Sequence, residues 1–336
     1  MTFRSFRRWI ATETLAAGRS LAPFLPASAI AATEWAVGGI SAHLPVMASL
    51  VARNMRSAGV YNEACFRAYF AQVALHLANS ARIFKWAENR ERLAHLIRSQ
   101  VQLDPSVGHL REVLAAGKGA VVAAPHVCNY VFTLARLNME VPLAVYLRWS
   151  PNQHKIRMKR QWCEAVGLPV ILEPPDQANP TSRAAACVDA LRSGRALVMT
   201  PDIAQKDRDK GVGVQILGHS ACLPAGPASI AMLAEAPIVP VFGRVSGKMH
   251  TIYASAPLLV SPRTRAEGGR NAALREVMQV WADQFTAFAR ACPQAWFLWG
   301  DSRWTRVFRG DPRYAATLPP ESESIGTQKQ VAGGVA

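Results

Sequence analysis

The pattern of apolar and polar positions divides the chain into a helical front and a body in which short strands alternate with helices. Apolar residues at three- and four-residue spacings predict helix over residues 61–103 and again over 110–116. Uninterrupted apolar runs predict buried strands at residues 120–124, 142–147, 169–172, 196–200, 238–242 and 251–254. Further helical patterns cover residues 128–138, 152–166, 180–193, 225–235 and 267–291. This alternation predicts an α/β fold with a mostly parallel central sheet flanked by helices.

The first sixty residues differ from the body. Basic and aromatic residues are mixed over residues 3–9, and residues 21–33 and 35–51 contain no Asp, Glu, Lys or Arg. Neither uncharged stretch reaches the roughly 20 apolar residues of a membrane-spanning helix. We therefore expect residues 1–60 to form a helical region that associates with the membrane interface, with a pair of core-packed helices or a true span as alternatives. Residues 61–316 are predicted to form the α/β domain, and the polar residues 317–336 a disordered tail.

Composition narrows the expected partner. Lys and Arg number 38 against 23 Asp and Glu, which gives a net charge of +15, while 50% of residues are hydrophobic and 18% are charged. High hydrophobicity with few charges excludes a disordered chain. A basic, slightly apolar protein is typical of one that contacts an anionic surface, either nucleic acid or the cytoplasmic membrane leaflet. Since no run of five or six basic residues occurs, we expect a membrane partner and no nucleic acid.

Cysteine usage points to a reducing environment. The six cysteines are widely spaced and none belongs to a CxxC pair. Neither a zinc site nor a disulfide scaffold is indicated, so we expect free thiols on the cytoplasmic side and no metal centre.

One histidine stands where ligands bind in open α/β sheets. His126 follows the predicted strand 120–124 with one proline between them, and ligands of such sheets lie beyond the carboxyl ends of the strands. Residues 200–205, TPDIAQ, follow a second predicted strand in the same way. The alternative is a histidine that only lines a loop.

Five short motifs follow one another in a fixed order along the body. They lie at residues 119–131, 201–205, 216–228, 236–240 and 293–304. In this order they resemble the bacterial lipid A late acyltransferases, lauroyl and myristoyl transferases of the lysophospholipid acyltransferase superfamily. The resemblance extends over residues 44–306, most of the chain.

This resemblance implies transfer of a fatty acyl chain from an acyl thioester of acyl carrier protein or coenzyme A to a hydroxyl of a membrane lipid or glycolipid. The thioester would be a co-substrate, and no cofactor would be bound permanently. The protein would work on the cytoplasmic face of the inner membrane. His126 would be the general base, with Asn129 beside it in the motif. Arg160, Gly226 and Arg303 would contact substrate, with Arg148 and Arg157 as alternatives to Arg160.

The chain departs from the family pattern at one position. The family has Asp or Glu after four residues that follow the histidine, and Val131 stands there. Loss of the carboxylate from a comparable His–Asp pair costs about 10⁴-fold in turnover. Asp202 is the first candidate to replace it, since it also follows a strand; Glu164, Glu173 and Asp176 are weaker candidates. Without a replacement, the chain would be a catalytically silent relative that binds acylated lipid or acyl carrier protein.

Other side chains carry alternatives of their own. Cys128 lies two residues after His126, so a Cys/His nucleophile pair is a further, less favoured possibility. Four tryptophans either line an acyl tunnel or a membrane-interface belt, or simply pack in the core and at the surface, and packing is the favoured interpretation: Trp281, Trp296, Trp299 and Trp304.

Overall fold

Helices form the described part of the chain up to residue 100 and alternate with strands beyond it. The computed structural model describes residues 21–315 except 23, 149, 151, 174–179, 207–210 and 262–268, so the basic start, Asp176 and the predicted tail lie outside the described residues. The helices are α1 Ala27–Ser41, α2 Pro45–Ser57, α3 Glu63–Lys85, α4 Arg90–Gln100, α5 Gly108–Ala115, α6 Tyr130–Asn138, α7 Gln153–Ala165, α8 Pro180–Arg192, α9 Gly226–Ala234, α10 Gly269–Ala291 and α11 Ser302–Phe308. The strands are β1 Val101–Leu103, β2 Ala120–Ala123, β3 Leu143–Leu147, β4 Val170–Leu172, β5 Ala196–Met199, β6 Gly211–Ile216, β7 His219–Pro224, β8 Ile238–Ser246 and β9 Met249–Ala254.

Seven strands form one sheet in the order β1-β9-β8-β2-β5-β3-β4. All neighbouring strands run parallel except β8 and β9, which are antiparallel. Side chains alternate between the two faces of a strand, so Val121 and Leu197 pack in one apolar core and Val122 and Val198 in the other. The predicted α/β class with a mostly parallel sheet between helices is confirmed.

The prediction of continuous helix over residues 61–103 is wrong. Helix α3 ends at Lys85, and α4 begins anew after Asn89, whose side chain accepts a hydrogen bond from the Arg92 backbone N–H. Val101–Leu103 is an edge strand because it pairs with β9, more than 140 residues later in the chain. Such a distant partner leaves no trace in local periodicity.

Strands β6 and β7 form a separate antiparallel hairpin that the apolar pattern does not reveal. Its two-residue turn consists of Leu217 and Gly218, with φ of 53° and 78°. Two positive φ values suit the twist of a tight hairpin, but leucine rarely adopts them, so the turn has no typical sequence signal.

Gly119 allows the central strand β2 to pass close to α8. Its φ is +64°, and a Cβ atom there would lie 2.3 Å from the Leu191 carbonyl oxygen. Gly117 has a similar φ of +79° but open space around it.

Replacement of Gly119 by alanine is expected to destabilise the fold by about 3 kcal/mol or more, since backbone strain and overpacking each cost about 1–3 kcal/mol. Gly117→Ala, which has the strain without the clash, should cost about 1 kcal/mol. Urea unfolding of both variants measures the difference. Equal losses of stability would contradict the close approach of β2 and α8.

Helices α1 and α2 present apolar side chains to solvent. Phe24, just before α1, and Trp35, on α1, are each 84% exposed. Further exposed apolar residues on or beside these helices are Leu21, Ile40, Leu44, Val46 and Met47. Among the described helices, none alone has the length and apolar character to cross a membrane; α1 and α2 meet that test only as a pair, with a 70° bend between them.

Candidate active site

Neighbouring strands β2 and β5 bring His126 and Asp202 to the same edge of the sheet. Ala123 and Met199 lie side by side in the parallel register, so the chain leaves both strands at one level. The Nδ1 atom of His126 lies 2.7 Å from Asp202 Oδ1. The backbone N–H of His126 also donates to Asp202 Oδ2, over 2.8 Å. The carboxylate therefore holds the ring and the main chain of the same residue.

This contact determines which ring nitrogen of His126 is available. The Asp202 carboxylate is fully buried, whereas 24% of the His126 side chain is exposed. A neutral imidazole that donates its Nδ1–H to a carboxylate keeps a lone pair on Nε2. Nε2 can therefore accept a proton, and the buried carboxylate stabilises the cation that results.

Two tryptophans hold Asp202 in place. Trp296 Nε1 donates to Asp202 Oδ2 over 2.8 Å, and Trp304 Nε1 donates to the Asp202 backbone oxygen over 3.0 Å. Both indoles are fully buried. The packing role predicted for these residues is incomplete, because their N–H groups also satisfy the buried carboxylate and its main chain. The only signal in the sequence is that a buried indole N–H requires an acceptor.

The backbone around His126 is paired with a segment close to the end of the chain. The Cys128 N–H donates to the Ala295 oxygen over 2.7 Å, and the Phe297 N–H donates to the His126 oxygen over 2.8 Å. Tyr69 of α3 donates its hydroxyl to the Phe297 oxygen. Residues 295–297 thus pair with the histidine turn on both sides of Val127, and Tyr69 in turn holds this segment.

An apolar cavity of about 130 Å³ opens beside the His126 ring. Val131 and Trp162 form part of its wall, so the residue that replaces the family carboxylate is a hydrocarbon surface here. A second cavity, of about 370 Å³, contains Gly226 at the start of α9. Both cavities share four wall residues and are therefore adjacent: Tyr146, Arg148, Thr200 and Ile203.

The structure separates the candidate arginines. Arg148 lines both cavities, and its Nε atom lies 3.8 Å from Glu173. Arg160 lines neither, is mostly exposed, and faces Glu164 at 3.7 Å. The preceding residue, Lys159, is the one whose side chain reaches the first cavity. The ranking of Arg160 above Arg148 thus finds no support in the geometry.

Asn129 and Cys128 do not contact the imidazole. Asn129 is buried, and its side-chain oxygen accepts a hydrogen bond from Asn79 of α3 over 3.0 Å. The Cys128 sulfur lies 3.8 Å from the Gln294 oxygen. Burial raises the pKa of the Cys128 thiol far above its ordinary value, and nearby Cys292 adds to the rise. A buried thiol of this kind is a poor nucleophile, which argues against a Cys/His pair.

Arg303 lies within electrostatic range of Asp202 but forms an ion pair with Asp301, which caps α11. Its Nε atom donates to both Asp301 carboxylate oxygens, over 3.0 and 3.1 Å. Burial raises the pKa of Asp301, but the hydrogen bonds from Arg303 and its charge outweigh this effect, so the net shift is downward. The Asp301–Arg303 ion pair therefore lies within electrostatic range of His126.

The part of the chain that the structure describes contains no group of three or more His, Cys, Asp and Glu side chains placed to hold a metal ion.

Comparison with known families identifies the family of the chain. The family model for bacterial lipid A biosynthesis acyltransferases matches residues 60–306, which include the histidine turn, both cavities and the tryptophan segment. The chain belongs to this family. The search of curated proteins finds no match. As a family member, the protein is assigned to acyl transfer to a lipid acceptor in lipid A-like biosynthesis. Members act in general on acyl carrier protein thioesters and lipid acceptors and are associated with membranes.

Proposed function

We propose that this family member is an active acyltransferase in which His126 is the general base and Asp202 the carboxylate that orients it. The contact of 2.7 Å between His126 Nδ1 and Asp202 carries the proposal. It supplies, from the loop after β5, the carboxylate that the motif lacks at Val131. The donor is an acyl thioester of acyl carrier protein or coenzyme A, and the acceptor is a hydroxyl of a lipid or glycolipid.

The reaction follows from the protonation of the ring. His126 Nε2 takes the proton of the acceptor hydroxyl while the oxygen attacks the thioester carbonyl carbon, which forms the new C–O bond. The C–S bond then breaks, and the leaving thiolate receives the proton from Nε2. Asp202 keeps Nδ1–H in place throughout and stabilises the imidazolium. No covalent intermediate on the enzyme is required.

The two adjacent cavities support a model in which different parts of the substrates bind in different cavities. The apolar cavity beside His126 suits the acyl chain, because its Val131 and Trp162 walls offer hydrocarbon contact. Arg148, on the wall common to both cavities, is placed to meet the oxyanion or a phosphate of the donor or acceptor. Gly226 leaves room where α9 meets the second cavity, since a Cβ there would lie 3.3 Å from Met199 Cε.

The proposal is tested with purified wild-type protein, a radiolabelled acyl thioester and a lipid acceptor that has one free hydroxyl. Formation of the acyl ester should be linear in enzyme and time. A matched acceptor in which that hydroxyl is replaced by hydrogen should give no ester. A silent relative that only binds acylated lipid or acyl carrier protein would retain the labelled thioester without ester formation, and that result would exclude the enzyme.

Membrane attachment through α1 and α2 is part of the same proposal. Their exposed apolar side chains, with the net charge of +15, suit insertion at an anionic interface. Transfer of one large apolar side chain to an apolar phase contributes about 1.5–3 kcal/mol.

Phe24→Asp and Trp35→Asp are each expected to weaken binding to anionic phospholipid vesicles about tenfold or more. Vesicle cosedimentation measures this, with Leu259→Asp as the control, because Leu259 is also exposed, at 74%, but follows β9 and is far from α1 and α2 in the chain. Vesicle binding that survives both aromatic substitutions unchanged would rule out this surface.

A further inference from the structure

A buried chain of hydrogen bonds joins α1 to the turn that carries His126. Glu34 of α1 accepts from Arg82 of α3 over 2.7 Å, and Arg82 in turn donates to the Asn79 side-chain oxygen over 2.6 Å. Asn79 then donates to Asn129, three residues after His126, over 3.0 Å. Glu34, Asn79 and Asn129 are 8%, 1% and 1% exposed. The Arg82 side chain is 16% exposed, so the network is largely dry, and hydrogen bonds in such a setting are strong.

The conformation of Asn129 connects this hydrogen-bond network to the turn that carries His126. Asn129 has a φ of 61°, in the left-handed region, and immediately precedes α6. Its backbone oxygen accepts the Phe132 N–H, so the same residue begins the helix. Asparagine enters the left-handed region more readily than most non-glycine residues, and here its side-chain oxygen accepts a hydrogen bond from Asn79. The Asn79 amide is the group that holds the Asn129 side chain.

Glu34, at the other end of this hydrogen-bond network, is held by a second cation. Glu34 also accepts from Lys248, over 2.6 Å, so its carboxylate lies between two cations. Burial raises the pKa of Glu34, but the hydrogen bonds from Lys248 and Arg82 lower it by a larger amount. The net shift is downward, which favours the charged carboxylate. Asn79 has a third partner, Gln100, at 2.6 Å. Glu34 precedes residue 60, where the family match begins.

We propose that Asn79 and Glu34 are positioning residues for acyl transfer, which act through Asn129 on the orientation of the His126 ring. This inference rests on the proposed function. It makes α1 a support of the active site as well as a surface for the membrane. Misplacement of a reacting group by about 1 Å can cost about 10²-fold in rate. Asn79→Leu, which keeps the size and removes the hydrogen bonds, should therefore lower kcat about 10- to 100-fold and leave KM for the thioester nearly unchanged.

The experiment uses the full chain with the acyl thioester and the hydroxyl lipid acceptor. Gln72→Leu is the matched control, because Gln72 is a buried amide on the same helix whose hydrogen bond runs to the Gly247 oxygen. Its kcat should stay close to the wild-type value. Asn129→Gly keeps access to positive φ and removes the side chain that Asn79 holds. In that background Asn79→Leu should produce little further loss. Glu34→Gln should lower kcat while vesicle binding stays at the wild-type level.

Three outcomes would overturn the inference. The first is a kcat of Asn79→Leu equal to that of Gln72→Leu. The second is a loss from Asn79→Leu that remains full in the Asn129→Gly background, which would place the effect elsewhere in the fold. The third is a Glu34→Gln variant with wild-type kcat. Inactive wild-type protein would instead overturn the proposed function, so the two failures are distinguishable.

Discussion

Replacement of Asp202 by asparagine is expected to lower kcat for acyl transfer by about 10⁴-fold, the cost of the same change in a comparable His–Asp pair. The carboxylate accepts three hydrogen bonds, from two nitrogens of His126 and from Trp296. An amide NH₂ group cannot accept any of them. The least costly arrangement turns the amide nitrogen toward the ring, so that Nδ1 must accept and Nε2 carries the proton. That tautomer cannot take a proton from the acceptor hydroxyl.

The Michaelis constants should change little in the same variant, because Asp202 is fully buried and lines neither cavity. Steady-state kinetics with the thioester and the lipid acceptor separate the two parameters. Glu164→Gln is the control, an exposed carboxylate that should affect kcat by no more than about twofold. If Asp202→Asn keeps a tenth or more of the wild-type kcat, Asp202 is not the partner of the base.

Replacement of His126 by alanine is expected to cause a loss of about 10⁴-fold, at the upper end of the range for a general base and no smaller than the loss from Asp202→Asn. Because the ring and the carboxylate act as one unit, their losses should not multiply. The double variant His126→Ala with Asp202→Asn should be about as slow as His126→Ala alone. Rates are measured by ester formation at saturating donor, with thermal unfolding as a check on the fold. Unchanged activity of His126→Ala would remove the general-base role.

The sequence predicted the buried strands well because their signal is local. Residues 120–123 and 196–199 are uninterrupted apolar runs, and both are fully covered parallel strands in the structure. The position of Asp202 as a candidate followed from the same logic, since it lies just beyond a strand. What the runs cannot show is that β5 lies directly beside β2, with β3 further out, and this order is what brings Asp202 to His126.

The remaining contacts of the site depend on tertiary packing. Trp296 and Trp304 reach Asp202 across more than 90 residues of chain, and no spacing rule connects them. Lys159 and Arg160 are neighbours in α7, but successive helical positions differ by about 100° in direction, so only one of them faces the cavity. The family resemblance named the region correctly and could not supply the direction of each side chain.

The apolar residue at position 131 has a consequence for how such chains are sorted. In this fold the carboxylate beside the imidazole lies in the loop after the neighbouring strand β5. The first turn of α6 contributes apolar Val131 to the cavity wall instead. A motif search that requires Asp or Glu at position 131 would classify this protein with inactive relatives. The contact between His126 and Asp202 depends on the adjacency of β2 and β5, so a search for related chains with a carboxylate beside the histidine should compare three-dimensional neighbours of the ring.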